Sequence, residues 1–278
     1  MSLLAEFANL DLLNLIALLA VAFIGMPHGA MDGALAMHLG WMNRPAKAIS
    51  FLLAYVGIAG IVIGLWLLTP TVGFLVFLSI SLFHFGRGDI VPRGKNHHIT
   101  EVLMRGGLVL SGISLFHRKE VDAIFEILIG SDTSLVWLFL QSLGVVTVAL
   151  IPIVLASKST TERRFVALEI ATLLSIFAIT PPLLGFAIYF CCIHSVRHFK
   201  HMGQRLQSTL EGIQITRTTA FFSLLTWVVG LLALTYQSSS VGLEPALLQV
   251  IFIGLAALTV PHMLLVDGMT RNTHESPN

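Results

Sequence analysis

The sequence predicts an all-α, polytopic membrane helix bundle, one integral membrane domain spanning residues 1–278. Three observations point there. The 278 residues are 55% hydrophobic and only 11% charged, with mean hydropathy +0.86, outside the range of an ordinary soluble domain. Apolar stretches recur at close to the roughly 20 residues a helix needs to cross a bilayer. Lys and Arg fall in a pattern that only one segment count makes one-sided.

In chain order the stretches lie at about 9–28, 47–68, 71–86, 99–116, 133–156, 164–180, 182–201, 216–236 and 244–267, each closed by a charge cluster or a Pro, Gly, Ser or Thr turn. The second and third are joined by "TPT" and the sixth and seventh by "TPP". Proline breaks one helix there and can start the next, so both pairs read as tight hairpins. With nine spans and the N-terminus outside, 14 of the 16 Lys and Arg lie on the cytoplasmic side, leaving only Arg118 and Lys119 opposite. One missed helix would invert everything downstream. The expectation is therefore nine transmembrane helices, N-terminus outside, C-terminus cytoplasmic, in the inner membrane of the cell.

Other classes are disfavoured. The net charge is +1 and no basic patch suits nucleic acid. The two cysteines, Cys191 and Cys192, are adjacent and poorly placed to bridge, so no disulfide framework is expected. "MSLLAEFANLD" lacks the basic start of a secretory signal, and the first stretch is expected to be retained.

Ionisable groups at membrane depth are costly and mark function. His28 closes the first stretch in "GMPHGAMDG", His84 closes the third in "SLFHFGRGD", His194 and His198 end the seventh in "CCIHSVRHF", and His262 is near the end of the ninth in "VPHMLLVDG". All four stretches are odd-numbered, which brings these side chains to the cytoplasmic half. His194 and His198 are four apart, on one helical face with Cβ atoms about 5–6 Å apart, so they can grip one ion. Neutral imidazole suits iron and zinc alike, and its second nitrogen usually needs a carboxylate or carbonyl. Asp32, Asp89 and Asp267 follow His28, His84 and His262 closely. They read either as such partners or as markers of the membrane boundary.

Simpler roles compete at each position. A lone histidine at a helix end is commonly a cap, and His262 reads as a fifth ligand, a pocket residue or a partner of Asp267. His38, His97, His98, His117, His201 and His274 read as solvated, and Arg197 as snorkelling to the surface. Phe83, Phe85, Tyr189, Phe190 and Phe199 are packing residues or the walls of a pocket for a flat apolar molecule. Gly25, Gly29 and Gly33 form a small-residue face, and Pro27 can loosen the helix to turn His28 inward.

In "GMPHGAMDG", "SLFHFGRGD", "CCIHSVRHF" and, more weakly, "VPHMLLVDG", the chain resembles the Brp/Blh-type bacterial β-carotene 15,15'-dioxygenases over essentially its whole length. The resemblance implies cleavage of the central double bond of all-trans-β-carotene by O2 into two molecules of retinal. It implies a non-haem Fe2+ held by His28, His84, His194 and His198. From the residues alone, Asp32, Asp89, His262, Asp267, Phe83 and Tyr189 are candidates around the metal or the substrate. The implied partners are β-carotene, O2, the lipid bilayer and a rhodopsin-type protein that receives retinal. Four neutral imidazoles would leave up to two of six octahedral positions open for the reactants. Three other classes use similar residues. Membrane di-iron hydroxylases need more than the single HxxxH pair present, whereas a haem-binding electron carrier and a metal or proton transporter would each use buried histidines.

Overall fold

The computed structural model describes residues 11–90, 99–130 and 132–272, with side chains to Val266. Among the described residues there is no strand. All nine expected stretches are helical: α1 (Leu12–His38), α2 (Pro45–Leu68), α3 (Pro70–Gly88), α4 (Ile99–Phe116), α6 (Ser134–Ala156), α7 (Thr160–Ile179), α8 (182–206), α9 (Gly212–Val241) and α10 (Leu243–Asn272). A tenth helix, α5 (Arg118–Ile129), lies between the fourth and fifth of them. Seven are long and apolar enough to cross a membrane. The other two of the nine are α7, which opens on "TTERR", and α8, which ends in "SVRHFKHMGQRL". The chain is thus a helical membrane protein.

The C-terminal ends of α1, α8, α9 and α10 lie beyond the sequence-derived edges, where the helix continues past its apolar window. The first helix does not close at His28 but runs on to His38. Its course changes at a π-helical turn, Val21–Gly25, where the Met26 N–H bonds the Val21 carbonyl at 2.8 Å. Five residues beyond Ala22 stands Pro27, which has no N–H to offer. The Ala22 carbonyl is instead met by the Trp227 indole N–H, 2.8 Å away. A second π turn, Ile188–His194, interrupts α8, with the Ser195 N–H bonded to the Phe190 carbonyl.

The amphipathic α5 is 12 residues long and too charged for a membrane criterion. Val121, Phe125 and Leu128 recur at helical spacing and are buried, the pattern of a helix with one packed face. Phe125 packs edge-on to Phe74 at 5.0 Å and against Trp137 at 5.5 Å. Asp122 accepts from Trp137 Nε1 at 2.6 Å and Thr133 Oγ1 at 2.7 Å. Those two bonds hold its carboxyl below the ordinary carboxylate range.

The chain divides into two compact units, with borders inside α1 and α8 and at the turn between α2 and α3. The first comprises residues 19–69 and 198 onward, and the second 11–18 and 70–197. In the first, α10 packs on α2 and α9, and α9 on the latter half of α1. Met31, Ala34, Leu35, Met202, Leu206, Ile215 and Leu265 form its buried cluster. The small-residue face of α1 is used at Gly33, where a Cβ would lie 2.2 Å from the Phe222 ring, but at Gly29 nothing comes within 4 Å. In the second unit α4 is central, packed by α3, α6 and α7. Helices α3 and α4 cross closely: a Cβ at Gly86 would meet the Val102 carbonyl at 2.2 Å, and one at Gly106 the Leu82 carbonyl at 1.9 Å.

Candidate metal centre

Each unit carries its own histidine group. In the first, His28 from α1, His198 from α8 and His262 from α10 have ring centroids 5.2 Å (His28–His198), 5.6 Å (His28–His262) and 5.0 Å (His198–His262) apart. His28 and His262 are buried. The distorted α1 backbone orients the first ring. The Gly29 N–H bonds the Met26 carbonyl at 3.1 Å, and the Gly25 carbonyl faces His28 Nδ1 at 2.5 Å. A carbonyl only accepts, so Nδ1 carries the proton and Nε2 is left as the basic nitrogen. His262 Nδ1 lies 2.7 Å from Asp32 Oδ1, and Asp32 Oδ2 accepts from Tyr55 OH at 2.8 Å.

In the second unit His84 from α3 and His194 from α8 place their Nε2 atoms 3.0 Å apart. His194 Nδ1 faces Asp89 Oδ1 at 3.4 Å, and Tyr189 OH donates to Asp89 Oδ2 at 2.8 Å. Phe85, 5.0 Å from the His194 ring, and Phe190, stacked on it at 5.9 Å, wall the imidazole. Close approach requires Gly88, where a Cβ would meet His194 Cε1 at 2.8 Å.

The donor chemistry of both groups fits a metal. Two nitrogens each about 2.1 Å from one ion, at right angles, stand about 3 Å apart, the spacing of His84 and His194. Nδ1 protons committed to a carbonyl or a carboxylate leave Nε2 as the ligating atom, the usual arrangement of a metal-bound histidine.

The sequence-derived partners are redistributed. Asp32 meets His262, not His28, and Asp89 meets His194, not His84. Phe85, not Phe83, packs edge-on against the His194 ring, and Phe83 is half-buried. Arg197 does not snorkel to the surface: it pairs with Asp89 at 3.6 Å and with Glu169, because a carboxylate within reach offsets the charge better than a lipid boundary does. Of the histidines read as solvated, His38 bonds the Thr209 hydroxyl and His117 Nε2 the Phe177 carbonyl at 2.7 Å. Asp267 lies on α10 beyond the described side chains, and His97, His98 and His274 lie outside the described residues. Sequence reasoning missed Tyr55 and Glu169, which stand outside the quoted motifs, and Gly88, which lies within "SLFHFGRGD" but was not singled out.

A model of the "Beta-carotene 15,15'-dioxygenase" family matches residues 19–270. A protein of that name from an uncultured marine bacterium, 66A03, is 33% identical over 95% of this chain and 96% of its own length. The "Probable beta-carotene 15,15'-dioxygenase Blh" of Halobacterium salinarum is 28% identical over 91% of this chain and 82% of its own. No solved structure matches.

Proposed function

Because the chain belongs to the beta-carotene 15,15'-dioxygenase family, we propose that its histidines hold the iron of a carotenoid-cleaving centre. The protein cleaves the 15,15' double bond of β-carotene with O2, giving two molecules of retinal. The observation that carries the iron reading is the pair of Nε2 atoms 3.0 Å apart, one of them on a ring whose Nδ1 faces a buried carboxylate. His84 and His194 of the second unit and His28 and His198 of the first are the proposed ligands. His262 stands beside His28 and His198, oriented by Asp32.

Bound Fe(II) supplies the electron that ground-state O2 needs before it reacts with a polyene. The chain's own groups fix and shield. Asp89 and Asp32 hold the Nδ1 protons of His194 and His262, and Tyr189 and Tyr55 hold those carboxylates in turn. All atoms of both reactants end in the two aldehydes, so no group need act as acid or base. Histidines whose tautomers are locked suit that requirement. The buried aromatic walls around His194 exclude water.

β-Carotene is dissolved in the bilayer and gains nothing by crossing water, so it enters sideways from the lipid. Phe83 and Tyr189 are its proposed contacts, and retinal leaves into the membrane, within reach of a rhodopsin-type protein. For the finer topology we retain nine spans in the inner membrane with the N-terminus outside, on the Lys and Arg partition. A reporter fused after Arg271 should then be cytoplasmic and one inserted near Ser238 external. Equal locations for the two would refute the count.

The activity test is expression in a β-carotene-accumulating bacterium. Loss of orange colour with appearance of retinal is expected. Unchanged colour with the protein folded in the membrane would overturn the reading.

A further inference from the structure

The second unit contains a row of buried or half-buried charges of which only Asp89 has been given a role above. Lys158 Nζ donates to Glu101 Oε2 at 2.5 Å, Arg105 Nε to Glu101 Oε1 at 3.0 Å, and Arg105 Nη1 to Glu169 Oε2 at 2.8 Å. Arg197 Nη2 donates to Glu169 Oε1, while its Nη1 reaches Asp89 Oδ1 at 3.6 Å. Three cations thus alternate with three carboxylates. Glu101 and Glu169 each lie between two cations. Asp89 is faced by one cation, Arg197, and otherwise by the Tyr189 hydroxyl and His194 Nδ1.

Charges removed from water are costly even when paired, and an apolar substitute of similar volume is often as stable. A role beyond helix stapling is therefore worth seeking at the end of the row. Arg197 Nη1 donates to the Asp89 backbone carbonyl at 3.5 Å and pairs at 3.6 Å with Asp89 Oδ1, the same oxygen that faces His194 Nδ1 at 3.4 Å. We infer that Arg197 and Glu169 are positioning residues: Glu169 fixes the guanidinium, the guanidinium fixes Asp89, and Asp89 sets the ring of His194. Arg105, Glu101 and Lys158 neutralise the far side of Glu169. The inference rests on the reading of His194 as an iron ligand.

The test measures Fe(II) affinity of the full-length protein in detergent by competition with a ferrous chelator, alongside its thermal unfolding. Arg197→Gln leaves Glu169 and Asp89 short of a cation, whereas Arg197→Gln/Glu169→Gln restores charge balance without restoring the hold on Asp89. Both should bind Fe(II) about 10–100-fold more weakly, as outer partners of metal ligands do, and the double variant should unfold closer to the parent temperature. Lys158→Gln/Glu101→Gln, at the far end, should stay within about three-fold. A folded double variant with affinity within about two-fold of the parent would reduce the row to a staple. Should neither glutamine variant fold, Arg197→Lys decides, because it keeps the charge but loses the planar fork: parent-like affinity there overturns the inference. His194→Ala separates the two levels. Undiminished affinity in that variant removes the iron assignment itself, whereas loss there with none at Arg197 removes only the inference.

Discussion

The two units hold a carboxylate in the same company but not with the same grip. Asp32 takes Tyr55 OH on one oxygen and His262 Nδ1 on the other, at 2.8 and 2.7 Å. Asp89 takes Tyr189 OH on one oxygen at 2.8 Å, but shares the other between His194 Nδ1 at 3.4 Å and Arg197 at 3.6 Å. A carboxylate with one strong partner per oxygen fixes its histidine directly. A carboxylate that divides an oxygen with a guanidinium fixes its histidine only as well as the guanidinium is fixed. The contrast teaches that similar Tyr–Asp–His sets can be held by local bonds in one place and by a charge row in another.

The strongest way to break the comparison is to remove the histidines. His28→Ala, His84→Ala, His194→Ala and His198→Ala should each lose nearly all bound iron and retinal formation, by about 100-fold or more, since losing even an outer partner costs about 10–100-fold. His201→Ala, half-buried near the end of α8, should stay within a few-fold. Iron content and retinal yield on matched amounts of folded protein decide. An inactive His201 variant beside an active His198 variant would move the ligand face of α8.

A subtler test sets Asp32→Asn against Asp89→Asn. An amide can donate where the carboxylate accepts, so each variant unlocks the tautomer of its histidine. Both should weaken Fe(II) binding by about 10–100-fold. Only Asp89→Asn should also lower the unfolding temperature appreciably, because it leaves Arg197 with one carboxylate in place of two. Equal thermal losses would erase the distinction between the two grips.

These contrasts were only partly legible in the sequence. That each of the nine stretches forms a helix followed from apolar length, a property each stretch carries by itself. Helix α5 did not, because three buried apolar residues on a charged 12-residue segment resemble a loop to any membrane criterion. The proposed ligand histidines stood out as costly groups expected at one depth. Their partners did not, because proximity in sequence tied Asp32 to His28 and Asp89 to His84. The π turn before Pro27 instead gives His28 a backbone carbonyl, which leaves Asp32 to a histidine 230 positions away. The charge row was hidden for a related reason. Arg105, Lys158 and Arg197 entered the topology argument as flanking cations, yet each meets a carboxylate. Charge sign can be read along a chain, whereas pairing depends on which helices meet.

The smallest expected effect lies where the second unit is held by a carboxylate unconnected with either histidine group. Asp122 accepts from Trp137 and Thr133, and its carboxyl is held below the ordinary range by those bonds. A folded-state value below the unfolded one contributes stability that is present above about pH 4, the unfolded value, and is lost as pH falls through the folded value. Asp122→Asn keeps an oxygen that can accept from both donors but cannot titrate. Thermal unfolding of the full-length protein between about pH 3 and 6 should therefore fall less steeply in the variant than in the parent. The difference should be below about 1 kcal/mol, because the group is largely open to solvent. Iron content and retinal formation at neutral pH should stay within a few-fold. A folded Asp122→Asn protein without activity would mean that α5 supports the centre, and the division between a positioning charge row and a purely structural carboxylate would have to be redrawn.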